Sequence, residues 1–284
     1  MPIKNPFMVK TAMDSETLTL QADPGEAFLI KDVQVDNVGV IEFAKLSIDR
    51  VTLAYLSVFD NKQNQFPFAR DSNTMKSLLG HLGDLGIFKG FPVKEGQEFK
   101  IDITGGTSIN SRIAYEIWEP ADITDEMENA ANGKAYLHFN YGTNSAEIAL
   151  DSNGNIDKCL TPAEFPDFPF GAVVPAKTQI EILGVMIGTH RQATYFGDKC
   201  RYLKFSKGRE VLFDEDRTGF YSAHGMNDYP FHASYYEHPV NLFPEPLVFA
   251  PGDELTLNLS VGGVALAADG GLFCLIERIT SLEA

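Results

Sequence analysis

Six histidines, three cysteines and 39 carboxylates are the groups in this 284-residue chain that could carry chemistry. A metal enzyme built on a β-barrel needs two His separated by one residue on a strand, so that both imidazoles point the same way. It also needs a nearby carboxylate and a further His from a later strand. No H-x-H occurs. In "FHASYYEHPV", His232 and His238 lie six apart with Glu237 between them, and His224 precedes His232 by eight residues. Histidines clustered in one Tyr- and Pro-rich loop read as packing or surface contact. Cys159, Cys200 and Cys274 are odd in number and widely spaced, with no C-x-x-C, which fits neither a disulfide framework nor a zinc site.

The remaining motifs fail on detail. "DSNGNID" (Asp151 to Asp157) resembles a calcium loop, but counted from Asp151 its sixth position is Ile156 where Gly is needed, and its twelfth is Pro162 where a bidentate Glu belongs. Its Asn153-Gly154 reads instead as a hairpin turn with positive φ. "TGGTS" (Thr104 to Ser108) has no Lys and no helix after it, so it is a turn and not a phosphate cradle. No G-x-S-x-G and no H-E-x-x-H appears. Carboxylate pairs for glycoside hydrolysis remain open, although a carbohydrate-active sandwich usually displays Trp platforms and this chain has one Trp, Trp118. The expected catalytic, cofactor and metal residues are therefore none.

What positions these groups is a β scaffold. Short alternating runs of Val, Ile, Thr and aromatic residues, broken by Gly, Pro and Asn, predict half-buried strands. In the first half these are Ala27 to Val35, Ala44 to Val58, "EFKIDI" and Arg112 to Trp118; in the second they are Thr178 to Ile187, Arg201 to Phe213, "ELTLNLSV" and Gly271 to Ile279. The halves match in order. "FPVKEGQEFKIDI" from Phe91 answers "LVFAPGDELTLNL" from Leu247, with Gly96 and Gly252 in the same place. "PGEAFLIKDVQV" from Pro24 answers "PAKTQIEILGVMI" from Pro175, and "IAYEIWE" ending at Glu119 answers "FCLIE" ending at Glu277. Three pairs in one order predict a tandem repeat of one β domain. The fold class is all-β: two tandem jelly-roll barrels or sandwiches with one or two short helices.

One helix is expected in "TMKSLLGHLGDLG", capped by Ser72 or Asn73, with Met75, Leu78, Leu79, Leu82 and Leu85 on one stripe; a second is expected within Ile123 to Gly133. The domains are expected as an N-terminal arm over 1–22, a first jelly-roll over 23–120, a linker over 121–133 and a second jelly-roll over 134–284. The net charge of −16, spread along the chain, speaks against direct nucleic-acid binding. No apolar run is long enough to span a bilayer, and no secretory signal opens the chain, so a soluble protein made in a cytoplasm is expected.

A tandem pair of β-sandwich domains without a catalytic signature, with phrases such as "LSIDRVTLAYL", "LGIFKGFPVKEGQEFKI" and "YLKFSKGREVLF", resembles the double jelly-roll major capsid proteins of tailless, membrane-containing icosahedral viruses, particularly small phage versions. The resemblance implies a structural virion protein and not an enzyme, made in the host cytoplasm and located in the capsid. It also implies homotrimeric pseudo-hexagonal capsomers, which contact neighbouring capsomers and minor capsid or vertex proteins. The N-terminal arm either packs along a neighbouring subunit or meets an internal lipid membrane, for which its Lys4, Lys10, Phe7 and Met8 suit an anionic interface. The Pro-rich segments Phe165 to Pro175 and Asn241 to Pro251 are read as loops that bury against other domains or subunits. Two other readings fit the same elements: a two-domain jelly-roll hydrolase or metal-dependent oxygenase, and a tandem carbohydrate-binding or minor virion protein.

Overall fold

The computed structural model describes residues 3–38, 42–58, 78–103, 107–123, 135–160, 173–189, 200–213, 241–261 and 265–282. The chain divides into two compact units, Met1–Leu137 and His138–Ala284. In the first, β1 (Ile3–Ala12), β2 (Thr17–Gln21), β3 (Ala27–Val38), β4 (Glu42–Ile48) and β5 (Val51–Val58) precede a short helix α1 (Leu78–Asp84). β6 (Phe91–Val93), β7 (Glu98–Ile103) and β8 (Thr107–Trp118) complete it. The second contains β9 (Ala135–Thr143), β10 (Asn153–Ile156), β11 (Lys158–Cys159), β12 (Thr178–Thr189) and β13 (Cys200–Lys207), then β14 (Glu210–Phe213), β15 (Asn241–Phe249), β16 (Leu255–Val261) and β17 (Gly271–Ser281).

The first unit forms two antiparallel sheets in the orders β1-β8-β3-β6 and β2-β7-β4-β5. Strands alternate between the sheets except at the β4–β5 hairpin, and the last strand, β8, returns beside the first, which is the winding of an eight-stranded jelly-roll. The second unit repeats it as β9-β17-β12-β15 and β10-β16-β13-β14, with β11 added outside β9. Alternation dictates the interior. Along β7, Phe99, Ile101 and Ile103 are buried while the residues between them are only partly covered. Leu18, Ile101 and Leu46 lie side by side across the first barrel, and Ile156, Leu257 and Phe205 lie side by side across the second. Every one of these six is at most 4% exposed, so both interiors are filled with apolar side chains at these rows.

The duplication holds at the level of single bonds. Ala22 N–H donates to Gln97 O at 3.0 Å and Gly96 N–H to Ala22 O at 2.9 Å; Val174 N–H donates to Asp253 O at 3.0 Å and Gly252 N–H to Val174 O at 2.9 Å. Asp49 N–H reaches Glu98 O and Gly208 N–H reaches Glu254 O in the same way. Gln97 and Asp253 each accept, through a side-chain oxygen, the backbone N–H three residues earlier. A β-bulge leaves Lys31 unpaired in β3 and Leu183 unpaired in β12, six residues after Gly25 and Lys177, which both have positive φ. The strand phrases paired in the sequence thus fall on equivalent strands: β3 with β12, β7 with β16, and β8 with β17.

Several expectations are corrected. Residues 1–22 are not an arm: β1 pairs with β8 from Ile3↔Trp118 to Ala12↔Ser111, and β2 pairs with β7. Pairing also moves the last match, because Phe28↔Ile117 and Ile30↔Tyr115 correspond to Ile180↔Ile279 and Ile182↔Glu277. Glu277 is therefore the counterpart of Tyr115, not of Glu119. Asn153 and Gly154 lie within β10; the positive φ belongs to Asp151. Leu85 falls beyond α1 and is 57% exposed, whereas Leu78, Leu79 and Leu82 are buried. The runs Ala44 to Val58 and Arg201 to Phe213 each fold into two strands around the two-residue turns Asp49-Arg50 and Gly208-Arg209. Asn241 to Phe249 is an edge strand, with exposed Pro244 and Pro246 at a break in its pairing with β12. The helix expected within Ile123 to Gly133 and most of the linker lie outside the described residues.

Gly96 and Gly252 have φ of +81° and +85°, and an added Cβ would meet nothing within 4 Å, so only backbone strain opposes a side chain. Gly96→Ala and Gly252→Ala are each expected to cost about 1–2 kcal/mol in urea unfolding. At Gly154 the added Cβ would come within 3.0 Å of the Ile148 side chain. Gly154→Ala is expected to cost about 1–3 kcal/mol, and the combination with Ile148→Ala less than the sum of the two single changes.

Candidate functional site

The chemistry-bearing groups that the fold buries lie on β9 and β17 of the second unit. His138, Asn140, Thr143 and Asn144 come from β9 and the residue after it; Cys274 and Glu277 come from β17, and all are at most 2% exposed. The amides pin turns. Asn144 Nδ2 donates to Ala146 O at 2.9 Å and to Ala267 O at 2.7 Å, while Cys159 Sγ donates to Asn140 Oδ1 at 3.6 Å.

Burial shifts the titratable members from their ordinary ranges. Desolvation holds the His138 imidazole down at about 3, so it stays neutral where a general base must exchange protons. Desolvation also pushes the Cys274 thiol well up, with the Tyr141 hydrogen bond acting in the opposite sense and the Glu277 charge adding to the rise. A thiol so placed forms little of the thiolate that nucleophilic attack requires. Glu277 projects from the face of β17 that carries Leu275 and Ile279, opposite Ile182, and desolvation raises its carboxyl well above the usual range.

Among the described residues, those singled out in the sequence do not assemble into a site. Asp157 accepts from Ser145 N at 2.8 Å and from Ser145 Oγ at 2.7 Å, and Lys158 pairs with Asp269 at 2.9 Å; these bonds tie turns together. Among the described residues no group of three His, Cys, Asp or Glu is arranged to hold a metal ion. His224, His232, Glu237, His238 and 165–172 of the first Pro-rich segment lie outside the described residues, as do 104–106 of the Gly-rich turn. No helix among the described residues is long and apolar enough to cross a membrane, which says nothing about strands.

The surface offers a different kind of site. Phe7 and Val9 on β1, Val51 on β5, Val211 on β14 and Val248 on β15 are large exposed apolar side chains, and all sit on the outermost strands of their sheets. An outermost strand also presents unpaired backbone N–H and C=O groups, so these edges combine apolar area with hydrogen-bonding capacity. The sequence pointed to Phe7 and to the segment that holds Val248, but not to Val51 or Val211, because exposure at an edge depends on which strand lies outside. His138, Cys274 and Glu277 were missed too; their only signal is their place inside the apolar runs "AYLHFNYG" and "LFCLIERI".

Glu277 yields a pH prediction with a definite sign. Its folded carboxyl keeps its proton above the ordinary carboxylate range, whereas the unfolded chain releases it there. Its contribution is therefore most favourable below about pH 4.3 and is lost as pH rises towards the folded-state value, by up to about 1.4 kcal/mol per pH unit. Glu277→Gln is expected to gain stability over the parent protein as pH goes from about 5 to 8 in urea titrations. An equal difference at both ends would refute the assignment.

No protein-family model matches the chain, and no curated protein does. Among solved structures, it is similar to the STIV MCP, with 10% identity, a TM-score of 0.39 and coverage of 97% of each chain. It is similar to the same degree to the major capsid protein P2 from bacteriophage PM2, with 10% identity, a TM-score of 0.39, and coverage of 97% of this chain and 98% of that one.

Proposed function

We propose that this chain is the major coat subunit of an icosahedral virus particle. Three copies associate about a threefold axis, and the two jelly-rolls of each supply the six corners of a pseudo-hexagonal capsomer. Residues 121–133 join the two jelly-rolls. Capsomers tile the shell beside minor capsid and vertex proteins, and the subunit reaches the virion after synthesis in the host cytoplasm.

The observation that carries this reading is the bond-for-bond repetition of one jelly-roll within one chain. A six-cornered tile made from three copies needs two wedges of near-identical build per chain, and closed threefold symmetry then does the rest. Filled interiors support the same reading, because a tile must resist deformation while its edges make the contacts. Coat assembly asks nothing of proton transfer, in keeping with a His138 imidazole that burial holds neutral and a Glu277 carboxyl that burial makes hold its proton more tightly than usual. The charge of −16 disfavours genome contact by this surface. A membrane beneath the shell would meet Phe7 and Met13 as side chains of a strand and its following turn, not as a detached arm.

Sedimentation velocity and electron microscopy test the proposal directly. The expected species is a trimer of the 31.3 kDa chain with a six-lobed outline, dissociating on dilution. A monomer that persists from micromolar to millimolar concentration would overturn it.

A further inference from the structure

We propose that the open edge of β1 is a docking seam that receives an extended segment of a second copy of this chain. The choice of a second copy rests on the coat-subunit reading; the seam itself rests on a difference between the two units. In the second unit the strand equivalent to β1 is β9, and its outer edge is already occupied. β11 pairs there through Lys158↔Thr143 and Cys159↔Gly142, flanked by Asp157 N–H to Thr143 O at 3.1 Å and Leu160 N–H to Tyr141 O at 2.7 Å. In the first unit, among the described residues, no strand pairs with β1 on its outer side. The same sheet position is thus covered in one copy of the fold and open in the other.

The open edge is only half defended. Natural edges are blunted by proline, bulges and lysine. Here Pro6 and the pairing breaks between Ile3 and Met8 blunt the first half, while Met8 to Ala12 pair without interruption with Tyr115 to Ser111. That regular stretch is bracketed by apolar side chains, with Phe7 71%, Val9 39% and Met13 75% exposed. Charge favours a copy of the same chain, because β1 carries no acid and presents Lys10 beside the regular stretch, Lys4 being paired with Glu119 at 3.0 Å, whereas the whole chain has a net charge of −16. Strand addition would supply main-chain hydrogen bonds along Met8 to Ala12, with Phe7, Val9 and Met13 buried beneath the added segment.

Hydrogen exchange on the full chain, dilute and self-associated, reads this seam. Peptides covering Met8 to Ala12 are expected to exchange about tenfold slower after association, while peptides covering β14 change less. The double change Phe7→Asp with Val9→Lys alters exposed side chains only, so it is expected to keep the circular dichroism of the parent while raising the association midpoint about tenfold or more. Association that leaves Met8 to Ala12 unprotected would overturn the seam and leave the coat reading standing. No association at any concentration would overturn both. Protection that arises only with vesicles of anionic phosphatidylglycerol would overturn the second copy as occupant in favour of a lipid surface.

Discussion

The backbone of Ala22 gives its N–H to Gln97 and takes one from Gly96, and Val174 does the same with Asp253 and Gly252. This two-bond clasp extends the ladder of β2 with β7 past its last pair, and in the second unit it holds the chain before β12 to the turn that precedes β16. The turn closes only because Gly adopts positive φ there. Once it has closed, the register of β7 against β2 and β4 follows. A slip of one residue would turn Phe99, Ile101 and Ile103 out to solvent.

With the frame repeated, the two units differ in what they place on it. The slot on the last strand that holds Tyr115 in the first unit holds Glu277 in the second. Tyr115 packs edge-on against Phe28 at 5.1 Å, so an aromatic pair fills that corner. The shared bulge turns Lys31 to partial exposure and Leu183 to burial. One geometry therefore presents different chemistry at matched positions.

Much of the scaffold was legible because burial at period two writes itself into the chain: "EFKIDI" and "ELTLNLSV" alternate as their exposures do. The positive-φ glycines marked equivalent turns for the same reason. Other features obey constraints that local pattern does not carry. Asp49 takes positive φ without being Gly, so its hairpin is hidden inside a continuous alternating run, Ala44 to Val58, that no Gly or Pro interrupts. Residues 3–12 show no inward face, since an outermost strand is exposed on several sides, and they read as an arm. Gly154 is small because Ile148 packs against it, a contact that no turn rule foresees. Glu277 was matched to the wrong residue because the loops between strands differ in length, so the offset between the halves drifts along the chain.

The sheet order also imposes a timetable on synthesis. β1 is the first strand to leave the ribosome, yet its partner β8 is the last of its unit, with Ile3 bonded to the level of Trp118. In the second unit the innermost strands of the five-stranded sheet include β17, which ends at Ser281. The first jelly-roll can therefore close while the second is still being made, but each must hold its early strands open until its own last strand, β8 or β17, has emerged. During those intervals β1 and β3, and later β9 and β12, lack the strand that will lie between them.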